Sequence, residues 1–155
     1  MTYRSIGELT PCQATKETSE LGESHAPRQE SIDAYNAIEH ELKKQFIHLR
    51  RDHDKHEPES FAAARGVSDH DLASFSQDDF VLVRVATTAY GIILFGKLRL
   101  PALPGAYVHF RAFSEGPDDD ALFHSFHTED KEDEDGHKTF RTLFTEDEPL
   151  DWFDA

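Results

Sequence analysis

The chain has 155 residues, which is enough for one domain with one hydrophobic core, and a second full domain is not expected. Its 31 acidic and 16 basic residues give a formal net charge of -15, which repels phosphates and anionic lipid headgroups. The composition therefore predicts neither a nucleic-acid partner nor a membrane partner.

The first residues lack the basic-then-apolar order of a signal peptide, and no apolar run approaches the roughly 20 residues that span a bilayer. A single cysteine, Cys12, has no second cysteine with which to form an internal disulfide. These features favour a soluble protein in the reducing cytoplasm. Within a polar stretch, Cys12 is interpreted as an idle thiol rather than a nucleophile.

Residues 1–30 are rich in Ser, Thr, Glu, Pro and Gly without any period, which predicts a flexible leader. Apolar residues then recur at spacings of three and four, which is typical of one face of a helix over residues 31–51. The stripe consists of Ile32, Tyr35, Ile38, Leu42, Phe46 and Leu49. Basic residues gather toward the end of this segment, where they favour the negative end of a helix dipole.

Residues 52–77 form a charged and polar stretch, which we interpret as an insertion with a turn or two of helix near residues 61–66. It contains His53 and His56, which have the spacing of a helical metal-ligand pair. Because they lie in a charged break, solvated histidines are the favoured interpretation.

From residue 79 the period drops to two, and runs rich in β-branched and aromatic residues follow. The predicted strands cover residues 80–88, 91–100, 107–113 and 121–128. The short links between them favour antiparallel neighbours, because a parallel crossover needs a dozen or more residues.

Val108, Phe110 and Ala112 alternate with a mixed set formed by His109, Arg111 and Phe113. The apolar set is expected to face the helix. The predicted fold class is therefore α+β, with one helix packed across an antiparallel sheet of four to five strands.

The segment beyond the fourth predicted strand has two parts. Residues 138–144 alternate well enough for an added strand, and residues 145–155 form an acidic tail with embedded aromatic residues. Such a tail either folds back on the exposed sheet or acts as a docking peptide for a partner. The domain is taken as residues 31–144, followed by this tail.

The sequence offers no convincing metal, cofactor or catalytic site. His124 and His127 are expected on opposite faces of a strand, so they would not close on one metal ion. The acidic run at residues 129–136 lacks the oxygens of a calcium loop at its first and last positions, and is interpreted as a charged turn. Phosphate loops and nucleophile elbows do not occur either, so no enzymatic activity is expected.

The strand at residues 107–113, Tyr-Val-His-Phe-Arg-Ala-Phe, resembles the aromatic-Val-His-Leu-Arg/Lys-Val-Phe strand of the stefins, the disulfide-free branch of the cystatins. Residues 121–140 are similar to the last strand of that family and its charged tail, which ends in Phe. Ile38 and Leu42 have the matching helix spacing. The resemblance covers residues 31–51 and 78–140.

This resemblance implies a cystatin-like fold and reversible inhibition of papain-like cysteine proteases, without chemistry or a cofactor of the inhibitor's own. Stefins insert a glycine-bearing leader and two hairpin loops into the protease cleft. Carried over to this chain, the protease-contacting residues would be Gly22, Thr87, Thr88, Ala89, Tyr90, Gly91, Glu115, Gly116 and Pro117. Gly91 alone matches the Gln-Val-Val-Ala-Gly motif literally, and it is expected to have a positive φ angle in a tight bend.

Two departures from the family keep a second function open. Tyr90 stands where the motif has a small alanine, and the second loop carries Glu115, Asp118, Asp119 and Asp120. Weak inhibition is one interpretation. The alternative is a cystatin-like interaction module without inhibitory activity that binds another, basic partner. The chain is expected to be a monomer or a domain-swapped dimer.

Overall fold

The computed structural model describes residues 14–116 and 120–155. Its helices are α1 (Gln29–His56) and α2 (Asp69–Leu72), with 3₁₀ turns at Lys16–Thr18, Pro58–Ala64 and Gln77–Asp79. Its strands are β1 (Glu20–Leu21), β2 (Phe80–Thr87), β3 (Ile92–Arg99), β4 (Tyr107–Ser114), β5 (Leu122–Phe126), β6 (Glu129–Glu132) and β7 (Lys138–Arg141). Within these residues, no helix is both long and apolar enough to cross a membrane.

Strands β1 to β5 form one antiparallel sheet in chain order, and α1 connects β1 to β2. Strands β6 and β7 pair with each other in a separate hairpin. The predicted fold class is confirmed: one long helix packs on a five-stranded antiparallel sheet, an α+β arrangement consistent with the cystatin-like fold. The four predicted strands correspond to β2, β3, β4 and β5, with ends that differ by at most two residues.

The main core lies between α1 and the sheet. Tyr35, Ile38, Leu42 and Phe46 of the predicted stripe are buried there, together with Val108, Phe110 and Ala112 of β4. The ring of Tyr35 stacks on Phe80 at 5.6 Å, and Phe80 lies 5.6 Å from Phe110. The expected packing of the helix stripe against this face of β4 is confirmed.

Gly96 on β3 makes room for these rings. It pairs with Phe110 across the β3–β4 ladder, and a Cβ atom at this position would overlap the Phe110 ring and lie 2.9 Å from Cε1 of Phe80. Any larger residue would push both rings toward the helix, so a glycine is required here by close approach.

The helix runs five residues beyond its predicted end, because the charged residues there make local contacts. Arg50 forms an ion pair of 2.9 Å with Asp54 one turn later, and His53 Nδ1 lies 2.8 Å from the Ser60 hydroxyl. His53 is 7% exposed, so its interpretation as a solvated histidine is wrong, whereas His56 is exposed.

The stretch interpreted as an insertion, residues 52–77, contributes to the main core. Phe61, Leu72 and Phe75 are fully buried there. The ring of Phe46 on α1 lies 5.8 Å from both Phe61 and Phe75. This segment therefore packs on α1 around Phe46, where Phe126 of β5 also contacts the helix.

The second face of the sheet is covered by the acidic tail, which corresponds to the fold-back alternative. Leu150 and Phe153 are buried in a cluster with Ile93, Phe95 and Phe113. The predicted added strand appears as β7, but it pairs with β6 rather than with the main sheet. The predicted charged turn at residues 129–136 contains β6 and a bend at Gly136, whose φ is +78°.

His124 and His127 lie on the same face of the sheet, so their expected placement on opposite faces is wrong. The β4–β5 ladder has a register shift between Arg111 and Ala112, which interrupts the two-residue alternation. His124 accepts a hydrogen bond from Arg111 Nε and stacks on Phe113, while His127 stacks on Phe153. Both rings therefore lie under the tail.

Candidate functional site

The bend between β2 and β3 is organised by Thr88. Its hydroxyl accepts hydrogen bonds from the backbone N–H groups of Tyr90 and Gly91, at 3.0 and 3.2 Å, and donates one to the Gly91 carbonyl at 3.0 Å. Gly91 has φ +147°, so the positive angle expected there is confirmed. The hairpin tip is thus fixed by Thr88 and Gly91. The sequence placed both in the hairpin but indicated a role in the bend only for Gly91.

Gly91 also packs directly against the loop that follows β4. A Cβ atom at Gly91 would lie 2.5 Å from the Ser114 carbonyl oxygen and 2.9 Å from Glu115 Cα. The Ser114 hydroxyl donates to the Gly116 carbonyl at 2.9 Å. Pro117, the last residue of the predicted set, and the neighbouring Asp118 and Asp119 lie outside the described residues.

The leader reaches the same end of the sheet from the other side. β1 pairs with the end of β2, with Glu20 opposite Thr87, and the Gly22 N–H donates to the Val85 carbonyl at 2.8 Å. Arg84 Nε donates to the Gly22 carbonyl at 2.6 Å. Residues 20–25 of the predicted leader are thus arranged along the outer edge of β2, and Ala14 is buried in the cluster under the tail. The predicted mobility of the leader stays a prediction, and Cys12 lies outside the described residues.

Three segments distant in sequence therefore meet at one end of the sheet, which we call the hairpin edge. It comprises residues 20–22, 87–91 and 114–116, together with the first residues of β3 and β5. Two large apolar side chains are exposed among the described residues, Ile92 at 39% and Leu122 at 63%, and both belong to this edge. The sequence did not single them out, because each begins a strand whose other residues are typical of a core.

The side chains of the hairpin differ in how far they protrude. Thr87 and Ala89 are exposed, whereas Tyr90 is half-buried and packs against the cluster under the tail. Tyr90, the bulky residue of the hairpin, therefore lies toward the face of the sheet that the tail covers. Thr87 and Ala89 remain exposed at the tip. Exposed Glu20, Glu115 and Asp120 make the surroundings of the tip acidic.

A cavity of about 690 Å³ adjoins the hairpin edge, between the start of α1 and the sheet. Ala34 and Ala37 of the helix and Ile92 and Leu94 of β3 line its apolar walls. Arg28, Glu30, Asp33 and Asp120 contribute both signs of charge to its lining. The apolar surface of Ile92 thus continues into a concave region rather than standing alone.

His53 and Ser60 form an imidazole–hydroxyl pair of the kind that nucleophilic sites use. Both residues are buried, at 7% and 4% exposure, and the Ser60 hydroxyl continues to that of Thr142 at 3.3 Å. Burial lowers the pKa of His53. The pair connects α1 to the segment that follows β7.

In residues 14–116 and 120–155, no group of three or more histidine, cysteine or acidic side chains is arranged to hold a metal ion. Comparison of the chain with protein-family models, with curated proteins and with solved structures yields no significant match.

Proposed function

We propose that this protein is a reversible inhibitor of papain-like cysteine proteases that inserts its hairpin edge into the active-site cleft. The observation that carries the proposal is the convergence of the Gly22 segment, the residue 87–91 hairpin and the residue 114–116 loop at one end of the sheet. These are the segments that the stefin resemblance assigns to protease contact. The protein would act without a cofactor and without chemistry of its own.

The composition of the edge supports this mode of action. Exposed Ile92 and Leu122 offer apolar area that a desolvated cleft can cover, and burial of apolar surface favours association. The hydrogen bonds made by Thr88 hold the hairpin in one conformation before binding. A preorganised loop loses little conformational entropy on docking, which favours affinity.

The charge of the edge sets the expected preference among proteases. Glu20, Glu115 and Asp120 are exposed around the tip, so a cleft lined with acidic residues is repelled and one lined with basic residues is attracted. The lone cysteine of the sequence favours a reducing compartment, and we propose that the protein acts in the cytoplasm.

The same acidic residues favour a second candidate function. A cystatin-like module that binds a basic partner protein through Glu115 and Asp120 would need no access to a protease cleft. It would bind its partner equally well after the apolar residues of the edge had been replaced by polar ones. The two functions are therefore separable by substitution.

The test is titration of papain, and of several cathepsin-like enzymes, with the purified chain while a fluorogenic substrate is cleaved. The proposal expects reversible, competitive inhibition. Ile92→Glu and Leu122→Glu are each expected to weaken it at least about ten-fold, since a carboxylate enters an apolar contact. Ala63→Glu is the matched control, because it adds the same charge at an exposed residue outside the edge.

Absence of inhibition by the native chain at micromolar concentration against every enzyme would refute the inhibitor function. Equal inhibition by all three substituted chains would refute the assignment of the edge. In the first case the interaction-module function takes its place.

A further inference from the structure

The tail lies on the sheet in a way that differs from ordinary core packing, because charged side chains of the sheet hold its backbone. Arg84 on β2, Lys97 on β3 and Arg111 on β4 all belong to the face opposite α1. Each donates hydrogen bonds to carbonyl oxygens of the tail. We call this surface the tail-binding face.

The bonds follow the tail along its length. Lys97 Nζ donates to the carbonyls of Glu146 and Glu148 at 2.9 and 2.6 Å. Arg84 Nη1 donates to the Leu150 carbonyl at 3.2 Å, and Arg111 Nη1 donates to the Phe153 carbonyl at 2.8 Å. Every peptide has carbonyl groups, so these contacts recognise the backbone rather than a particular side chain. The carbonyls bound by Lys97 belong to a turn at residues 146–148, and residues 149–155 follow it without regular structure.

Selectivity comes from apolar and aromatic anchors. Leu150 and Phe153 are buried, and Phe153 stacks on His127 at 4.6 Å with nearly parallel rings. Trp152 lies 5.2 Å from Phe95 and under the guanidinium of Arg111 at 5.1 Å. Arg84, Phe95 and Arg111 are paired neighbours across β2, β3 and β4, so two cations flank the aromatic slot.

The tail is also separable from the rest of the fold. Beyond Phe144, which bridges to Tyr107, the tail forms no strand. The main core between α1 and the sheet includes none of residues 145–155. Release of the tail would expose the second face but leave that core closed.

Arg84 Nη1 also lies 3.3 Å from the Asp151 carboxylate, which favours an acidic segment. We propose that the tail-binding face is a second binding site, specific for an acidic segment with an apolar anchor followed by an aromatic pair, and that residues 145–153 occupy it in cis. The partner is another protein that carries such a segment. It binds by exchange with the tail, and Arg84, Lys97 and Arg111 then donate to the carbonyl groups of the partner segment instead of those of the tail.

Exchange has to overcome the covalent attachment of the tail, since a free peptide binds only the fraction of molecules in which the face is open. The test therefore uses the full chain with Phe153→Ala, which removes one anchor of the cis segment. The probe is a fluorescein-labelled synthetic peptide with the sequence of residues 145–155, and its anisotropy measures binding. Phe123→Ala is the matched control, because Phe123 packs against the main core rather than under the tail.

The proposal expects the peptide to bind the Phe153→Ala chain at least about ten-fold more tightly than the native or the Phe123→Ala chain. A peptide with alanine at the positions of Leu150 and Phe153 has the same charge and is expected to bind at least about ten-fold more weakly. Adding Lys97→Met to Phe153→Ala is expected to weaken binding as well. The emission of Trp152, the single tryptophan, reports independently whether Phe153→Ala frees the tail.

Three results would overturn the proposal. The first is that the peptide binds the native and Phe153→Ala chains equally tightly even though a shift in Trp152 emission shows that the tail has been released. The second is equal binding of the two peptides, which would indicate a charge effect only. The third is exchange between two copies, detected as a concentration-dependent dimer by light scattering, without binding of the free peptide.

Discussion

Gly91 is the residue on which the hairpin edge depends most. We predict that Gly91→Glu abolishes inhibition of papain, because its Cβ would collide with the Ser114 carbonyl and its φ of +147° strains any other side chain. The control is Gly105→Glu, which also changes a glycine of positive φ but has no atom within 4 Å and lies in the turn at the opposite end of the sheet. Inhibition constants for folded variants, checked by circular dichroism, measure the effect. Equal inhibition by both would remove Gly91 from the site.

Phe110 is predicted to be the largest single contributor to the main core. It is fully buried, and it contacts Phe80, Tyr35 and the backbone of Gly96. Phe110→Ala is expected to lower the free energy of unfolding by about 3 to 5 kcal/mol, as large-to-small aromatic changes in cores do. Leu122→Ala, at a side chain 63% exposed, is expected to change it by less than about 0.5 kcal/mol. Urea unfolding measures both, and similar losses would show that Phe110 is not central.

Among the secondary-structure elements, the strands were predicted best. Alternation in β4 identified which residues face the helix, because a period of two assigns every side chain to a face once one face is apolar. The same argument failed at His124 and His127, because a register shift leaves no mark in the hydrophobic pattern.

The end of α1 and the cover of the second face were not predictable from periodicity. Residues 52–56 are charged, and their helical state depends on an ion pair and on the contact between His53 and Ser60. The alternation along β4 did not show what covers its mixed set. Arg111 of this set and Lys97 of β3 are buried because the tail supplies carbonyl groups, a partner that pattern arguments along one strand cannot see.

The hairpin edge, too, was only partly predictable from the sequence. Resemblance and turn chemistry identified Gly91, but the bonding role of Thr88 and the exposure of Ile92 and Leu122 depend on how three distant segments meet.

For the leader, we predict that its attachment to β2 matters more for inhibition than for stability. Gly22→Pro removes the N–H that bonds to the Val85 carbonyl, at a cost of about 1 kcal/mol in unfolding free energy. The leader would then be misaligned with the hairpin, and inhibition should weaken. Gly22→Ala retains the N–H and is the control, although its Cβ would lie 3.3 Å from the same carbonyl oxygen. Inhibition that is unaffected by the proline would exclude the leader from the contact.

The molecule as a whole is predicted to lose stability in mild acid. Burial lowers the pKa of His109 to about 3 and that of His124 to about 4, and it also lowers the pKa of His53 and His127. In the unfolded chain these groups bind protons near pH 6.5, so acid favours unfolding. Their contribution is complete above about pH 6.5 and is lost as pH falls toward the folded-state values.

Mild acid also reduces the repulsion among the acidic residues, which acts in the opposite direction to the protonation of the buried histidines. Below its unfolded-state pKa, each histidine that stays neutral in the folded protein lowers the free energy of unfolding by about 1.4 kcal/mol per pH unit. Repulsion among exposed carboxylates, in contrast, is screened by salt. We therefore expect the urea midpoint to fall between about pH 7 and about pH 5, although the net charge becomes less negative. His109→Leu should reduce the slope by about one proton. A midpoint that rises over this range would contradict the assignment of buried neutral histidines.

The inhibitor function requires that the protein occupy the protease cleft itself. Calorimetric titration of papain with the native chain, once with a free active site and once with the cleft filled by a covalent peptide-like inhibitor, measures this occupancy. We predict one-to-one binding to the free enzyme and none to the blocked enzyme. Binding that is unchanged when the cleft is filled, or no binding to the free enzyme, would contradict it.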